Sequence, residues 1–121
     1  MRLDHIAFIV SKEENIVFYE NLGFKKTKKI ERDYDSIIFM ECDDITLEVF
    51  VDPNHPERLN NPETKGLRHI AFTVDNLDDF NLDIKTDFFG RRFGFTKDLD
   101  GQPIELIERE QNELFSCCCS S

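Results

Sequence analysis

The stretch Leu3-Asp4-His5-Ile6-Ala7-Phe8-Ile9-Val10 returns as Leu67-Arg68-His69-Ile70-Ala71-Phe72-Thr73-Val74, at an offset of 64 positions (69 − 5). Six of the eight positions are identical, and a seventh, Ile9 against Thr73, keeps a β-branched residue. A chain of 121 residues that restates itself halfway along reads as two copies of one module. Modules of about 60 residues are marginal alone, so the two are expected to make one domain, residues 1–121. In both copies apolar and polar positions alternate with a period of two, the signature of a strand. Ile6, Phe8 and Val10 then share one face, as do Ile70, Phe72 and Val74. His5 and His69 fall on the opposite face, at the same place in two equivalent strands.

The first module is expected over residues 1–52. Ser11-Lys12-Glu13-Glu14 has capping-box spacing, which predicts a helix start, and Ile16, Tyr19 and Leu22 continue as an apolar stripe up to the left-handed stop at Gly23. Phe24 to Arg32 reads as an exposed strand whose lysines, Lys25, Lys26, Lys28 and Lys29, form a solvated face. Strands follow at Ile37 to Glu41 and Ile45 to Val51, separated by the turn at Asp43-Asp44. In the latter, Leu47, Val49 and Val51 share one face and Thr46, Glu48 and Phe50 the other. Residues 53–65, with Pro53, Pro56 and Pro62, have linker composition, and His55 there reads as an exposed loop residue.

The second module, 66–109, repeats the strand. A short helix follows from about Asn76, with Leu77, Phe80 and Ile84 on one side, then strands at Arg91 to Thr96 and Gln102 to Glu108. Glu105 takes the place of Glu48 at an offset of 57 (105 − 48), shorter than that of the histidines, so this copy is abbreviated between Asp79 and Arg91. Either a strand of its sheet or a run of residues is missing there. Residues 110–121, with Cys117, Cys118 and Cys119 adjacent between serines, read as a disordered tail.

Twenty-five acidic against 15 basic residues give a net charge of −10, which argues against nucleic acid or an anionic membrane as partner. A small molecule is the default. No run approaches the ~20 apolar residues of a membrane helix, and a cytoplasmic location is expected.

The recurring residues with reactive side chains are two histidines and two mid-strand glutamates: His5, Glu48, His69 and Glu105. Imidazole and carboxylate together suit a divalent transition metal, Ni, Zn, Co or Mn, and four such ligands leave positions for substrate. A metal with open positions polarises a bound carbonyl, and a carboxylate beside it can serve as base.

The chain resembles the vicinal oxygen chelate superfamily, which includes glyoxalase I, through D-H-I-A-F at His5, T-L-E-V-F at Glu48, G-L-R-H-I-A-F-T-V-D at His69 and D-L-D-G-Q-P-I-E-L-I-E at Glu105. The similarity spans roughly residues 2 to 108. It implies an α+β fold of two paired βαβββ modules, a metal held by His5, Glu48, His69 and Glu105, and a homodimer. It is similar in particular to short bacterial lactoylglutathione lyase-like proteins through Asn61-Pro62-Glu63 and Gly66-Leu67-Arg68-His69.

Carried over, the activity is that of a lyase or isomerase acting on the glutathione hemithioacetal of methylglyoxal. Glu105 or Glu48 moves the proton, with Glu105 the preferred base. Ile9 stands where bacterial glyoxalase I has an arginine for the glutathione carboxylate, and Asp52 where an asparagine is expected; Arg68 or Arg58 are the substitutes at hand. The alternatives are an epimerase of the methylmalonyl-CoA type, with the lysine cluster receiving phosphates, and a non-catalytic binding module.

Overall fold

The computed structural model of the protein describes residues 1–110, which divide into two compact units, Met1–Glu57 and a second from Arg58 onward. The tail expected to be disordered lies outside the described residues from position 111 on.

In the first unit β1 (Ile6–Val10) leads into a 3-10 turn, Glu13–Ile16, that continues as α1 (Val17–Glu20). Then come β2 (Lys25–Glu31), β3 (Ser36–Cys42) and β4 (Ile45–Val51). The sheet order is β1-β4-β3-β2, with β1 and β4 parallel and the other neighbours antiparallel. One face is the core: Val10, Ile38, Met40, Leu47 and Val49 are buried beneath Ile16, Tyr19 and Phe24. The Tyr19 ring is wholly buried and lies 4.8 Å from that of Phe8.

The helix stops where the glycine predicts. Gly23 has φ +110°, its amide donates to the Glu20 carbonyl, and the Phe24 amide reaches back to Tyr19. That pair of bonds is a Schellman closure, and it packs the Phe24 ring against Tyr19 at 6.4 Å. The lysine strand β2 is the exposed edge of the sheet, where cations discourage pairing with another chain. Lys26 and Lys29 reach Glu13 at 3.4 and 2.7 Å, and Glu13 above all raises the Lys29 pKa to about 12.

The second unit repeats the topology with β5 (Ile70–Val74), β6 (Lys85–Thr86), β7 (Arg92–Lys97) and β8 (Pro103–Glu108) in the order β5-β8-β7-β6. The molecule is thus the expected α+β arrangement of paired βαβββ modules, with two corrections in the abbreviated copy. The helix predicted from Asn76 is a single 3-10 turn, Leu77–Asp79, and Phe80 is already extended, so Phe80 and Ile84 do not continue a helical stripe. The turn is held by Asn76, whose side chain accepts from the Asp78 amide, and by Glu108, whose Oε2 accepts from the Leu77 amide at 3.0 Å.

The fourth strand, whose loss the shortening suggested, survives as the two residues Lys85 and Thr86 paired with Phe93 and Arg92. Five residues between the turn and β6 are too few for the helix of the other copy, so the chain crosses β7 directly. Leu82 lies so close to Gly94 that a Cβ built there would stand 2.9 Å from the Leu82 Cβ. Leu77, wholly buried with Ile104 and Leu106, replaces the lost helix as the core's plug.

Candidate functional site

Sheet register carries each histidine to its glutamate. In the parallel pair β1 and β4, Ala7 faces Glu48; in β5 and β8, Ala71 faces Glu105. Each histidine precedes that alanine by two residues, so it projects from the same face and reaches its glutamate on the diagonal. Alanine, having no side chain beyond Cβ, leaves the space between them open. On the other flank each glutamate faces a phenylalanine, Phe39 on β3 and Phe95 on β7. The same four residue types thus surround the same position twice, although the sequence offsets differ. The shortening falls between β5 and β7, where the offset drops from 64 (69 − 5) to 56 (95 − 39), and the β7–β8 hairpin returns one residue (105 − 48 = 57).

The distances agree as well as the register does. His5 Nε2 lies 3.4 Å from Glu48 Oε1, and His69 Nε2 lies 3.2 Å from Glu105 Oε1. Two donors bound to one ion at about 2.0–2.2 Å, at the angles of a tetrahedral or octahedral shell, stand about 2.9–3.6 Å apart. Both pairs therefore have the spacing of neighbouring ligands. Among the described residues no group of three or more His, Cys, Asp and Glu gathers as a metal site, so each unit presents two of the four predicted donors.

The two histidines are held differently. His5 Nδ1 contacts the Asp4 carboxylate at 2.8 Å, which raises its pKa above the ordinary imidazole value, and Glu48 adds to the effect. With Nδ1 so engaged, Nε2 is the nitrogen turned to Glu48. His69 follows Arg68 instead, and its ring meets the edge of Phe95 at 5.0 Å and 85°.

Around Glu48 the structure adds residues that the sequence did not single out. Arg32 bonds Asp35 through Nε and Nη2, both at 2.6 Å, and lies over the Tyr34 ring at 4.5 Å and the Phe50 ring at 5.4 Å. Phe50 follows Glu48 by two on β4 and so shares its face. Asp52, next on that face, is taken by the Asn54 amide and by His55 Nδ1, each at 2.9 Å. His55, expected as an exposed loop residue, is about half exposed and tied to that carboxylate.

Arg58 and Arg68, the substitutes considered for holding a glutathione carboxylate, brace their own segment. Arg58 donates to Asn60 and to the carbonyls of Leu67 and Arg68, and Arg68 pairs with Glu63 at 2.7 Å.

Residues 2–106 match the family model of the glyoxalase/bleomycin resistance protein/dioxygenase superfamily. The chain belongs to that superfamily. Among its relatives the uncharacterised Bacillus subtilis protein YwkD is 37% identical over 123 aligned positions, covering 88% of this chain and 96% of that protein. The crystal structure of a glyoxalase family protein from Enterococcus faecalis superposes with a TM-score of 0.77 at 29% identity, covering 88% of this chain and 97% of that one. The trypanothione-dependent glyoxalase I of Leishmania major, at 20% identity and a TM-score of 0.66 over 96% of this chain and 91% of its own, shares the fold.

Seen as a superfamily member, the chain uses its most specific motif to build the hairpin that carries Glu105. Asp98 Oδ1 accepts from the amides of Asp100 and Gln102, both at 2.9 Å, and Gly101 takes φ +89° at the turn. Asn60 Nδ2 closes the loop by donating to the Gly101 carbonyl at 2.8 Å. Asp98 thus shapes the β7–β8 turn, and the hairpin register puts Glu105 opposite Phe95 while β5 sets Ala71 on its other side. Among the described residues no helix is long and apolar enough to cross a membrane.

Proposed function

We propose that the two His–Glu pairs hold one divalent transition metal ion and that the protein, as a homodimer, is a lyase or isomerase of the glyoxalase I type acting on a small α-oxo substrate. The hemithioacetal of methylglyoxal and glutathione is the first candidate. The observation that carries this reading is the recurrence, in one register and at ligand-pair spacing, of His5 with Glu48 and His69 with Glu105. Two imidazole nitrogens and two carboxylate oxygens suit nickel, zinc, cobalt or manganese.

The ion, when bound, would supply Lewis acidity to two adjacent substrate oxygens. The side chains do the rest. His5 and His69 fix the ion's place, His5 with its ring oriented by Asp4. Glu105, less exposed than Glu48 and walled by Phe95, acts as base: it takes the proton from the carbon bearing sulfur and hydroxyl and returns it to the neighbouring carbonyl carbon. The electron pair left behind shifts toward the second carbon and the hydroxyl proton passes to the former carbonyl oxygen, so the first carbon becomes the thioester carbonyl with no outside oxidant.

An epimerase acting on an acyl-CoA uses the same proton transfer but requires free cations for the phosphates. Lys26 and Lys29 of the expected cluster are instead paired with Glu13 and Glu31.

Thioester formation from the hemithioacetal, measured after loading with nickel or zinc, tests the proposal. Glu105→Gln is expected to lower kcat about 10²- to 10⁴-fold at saturating metal. Absence of turnover with every divalent metal, on thiol adducts and acyl thioesters alike, contradicts it and favours a binding module.

A further inference from the structure

Arg32 is surrounded differently from its counterpart in the second unit, Arg91. Each unit closes its β-hairpin with an Arg–Asp pair, Arg32 with Asp35 and Arg91 with Asp87, and each guanidinium lies over an aromatic ring of its turn, Tyr34 or Phe89. In the second hairpin Asp87 also accepts the amides of Phe89 and Arg91, so that pair locks a turn.

Arg32 has a further partner, the ring of Phe50, two residues beyond Glu48 and on its face. The equivalent position, two beyond Glu105, is the aliphatic Ile107. The first guanidinium is thereby carried over the face that bears Glu48. Asp35 is 6% exposed and Arg32 33%, so it is the cation of the pair that meets solvent. Among the described residues the Arg32 side chain hydrogen-bonds only Asp35, through Nε and Nη2. The end of the fork, Nη1 with the second hydrogen of Nη2, is left as two parallel donors of the kind that match a carboxylate.

We propose that Arg32 is the anion anchor of this face and receives a carboxylate carried by the substrate, so that the natural substrate is a small organic acid or acid conjugate. The inference rests on reading the Glu48 face as the substrate's side of the first unit. The anchor is rigid before the ligand arrives, because Asp35 and two aromatic rings fix the guanidinium plane, and little side-chain entropy is lost on binding. It also supplies, from the β2–β3 turn, the cation that Ile9 and Asp52 do not provide.

Metal-free protein titrated with succinate and with succinamide, and followed by the amide resonances of residues 32–36 and 46–50, separates this inference from the metal chemistry. Succinate is expected to saturate those shifts with at least ten-fold tighter affinity than its neutral amide. Arg32→Gln should abolish the preference and Arg32→Lys, which keeps the charge and a partner for Asp35 but not the fork, should weaken it several-fold. Lys25→Gln, which removes a charge from the exposed edge, should leave it unchanged. Equal affinities for the two probes, a preference that survives Arg32→Gln, or one lost equally in Lys25→Gln would overturn the proposal. Because no metal is present, a protein that fails as a lyase can still show the preference, and one that succeeds can lack it.

Discussion

The imidazole of His5 is bracketed by two carboxylates and that of His69 by one carboxylate and one ring, a difference that traces to single residues, Asp4 against Arg68. An outer carboxylate orients a ligating ring and raises its basicity, so Asp4→Asn is expected to weaken zinc affinity about 10- to 100-fold without loss of fold, since Asp4 is exposed. A competition titration against a chelator reads this, and unchanged affinity would show that Asp4 has no part in holding the ring.

Arg32, above all by its hydrogen bonds, holds the Asp35 carboxyl below the ordinary carboxylate range. A group whose folded pKa is depressed contributes stability above its unfolded value, about 3.9, and loses it as pH falls through the folded value. Asp35→Asn should therefore flatten the acid limb of an unfolding curve below about pH 4. The two histidines were legible in the sequence because the repeat marks them, and the sheet register sets a glutamate beside each. Arg32 was not, because its partners come from the β2–β3 turn and from β4, which only the folded hairpin brings together.

At the level of elements, the first module follows its sequence signals closely, from the glycine stop to the alternating faces of β4. The abbreviated helix is where pattern reasoning fails. Leu77, Phe80 and Ile84 have helical spacing, but the loop between turn and strand is too short to wind, and the extended segment is accommodated by a glycine on β7. Nothing in the local sequence announces that Gly94 serves Leu82, since the contact exists only after β7 is placed. Gly94→Ala should cost about 1–3 kcal/mol, because the Leu82 side chain and the Asp83 carbonyl both crowd the new methyl. Leu77→Ala, which empties the plug, should cost about 2–5 kcal/mol. Denaturant unfolding checks both, and a neutral Gly94→Ala would mean that the crossing segment yields freely.

For the whole molecule, duplication has a chemical consequence: each copy of the fold presents one nitrogen and one oxygen donor, half of what a divalent ion needs with substrate positions to spare. The acidic surface, −10 at neutral pH, leaves local cations such as Arg32 to select an anionic ligand against the general field. The central claim is that both pairs serve the same ion, and elemental analysis of the purified protein with His5→Ala and His69→Ala tests it most directly. The account predicts about one divalent ion per chain in the parent protein and its loss from each single variant. Parent metal content retained in either variant, or none in the parent after loading with nickel, cobalt, zinc or manganese, would contradict it.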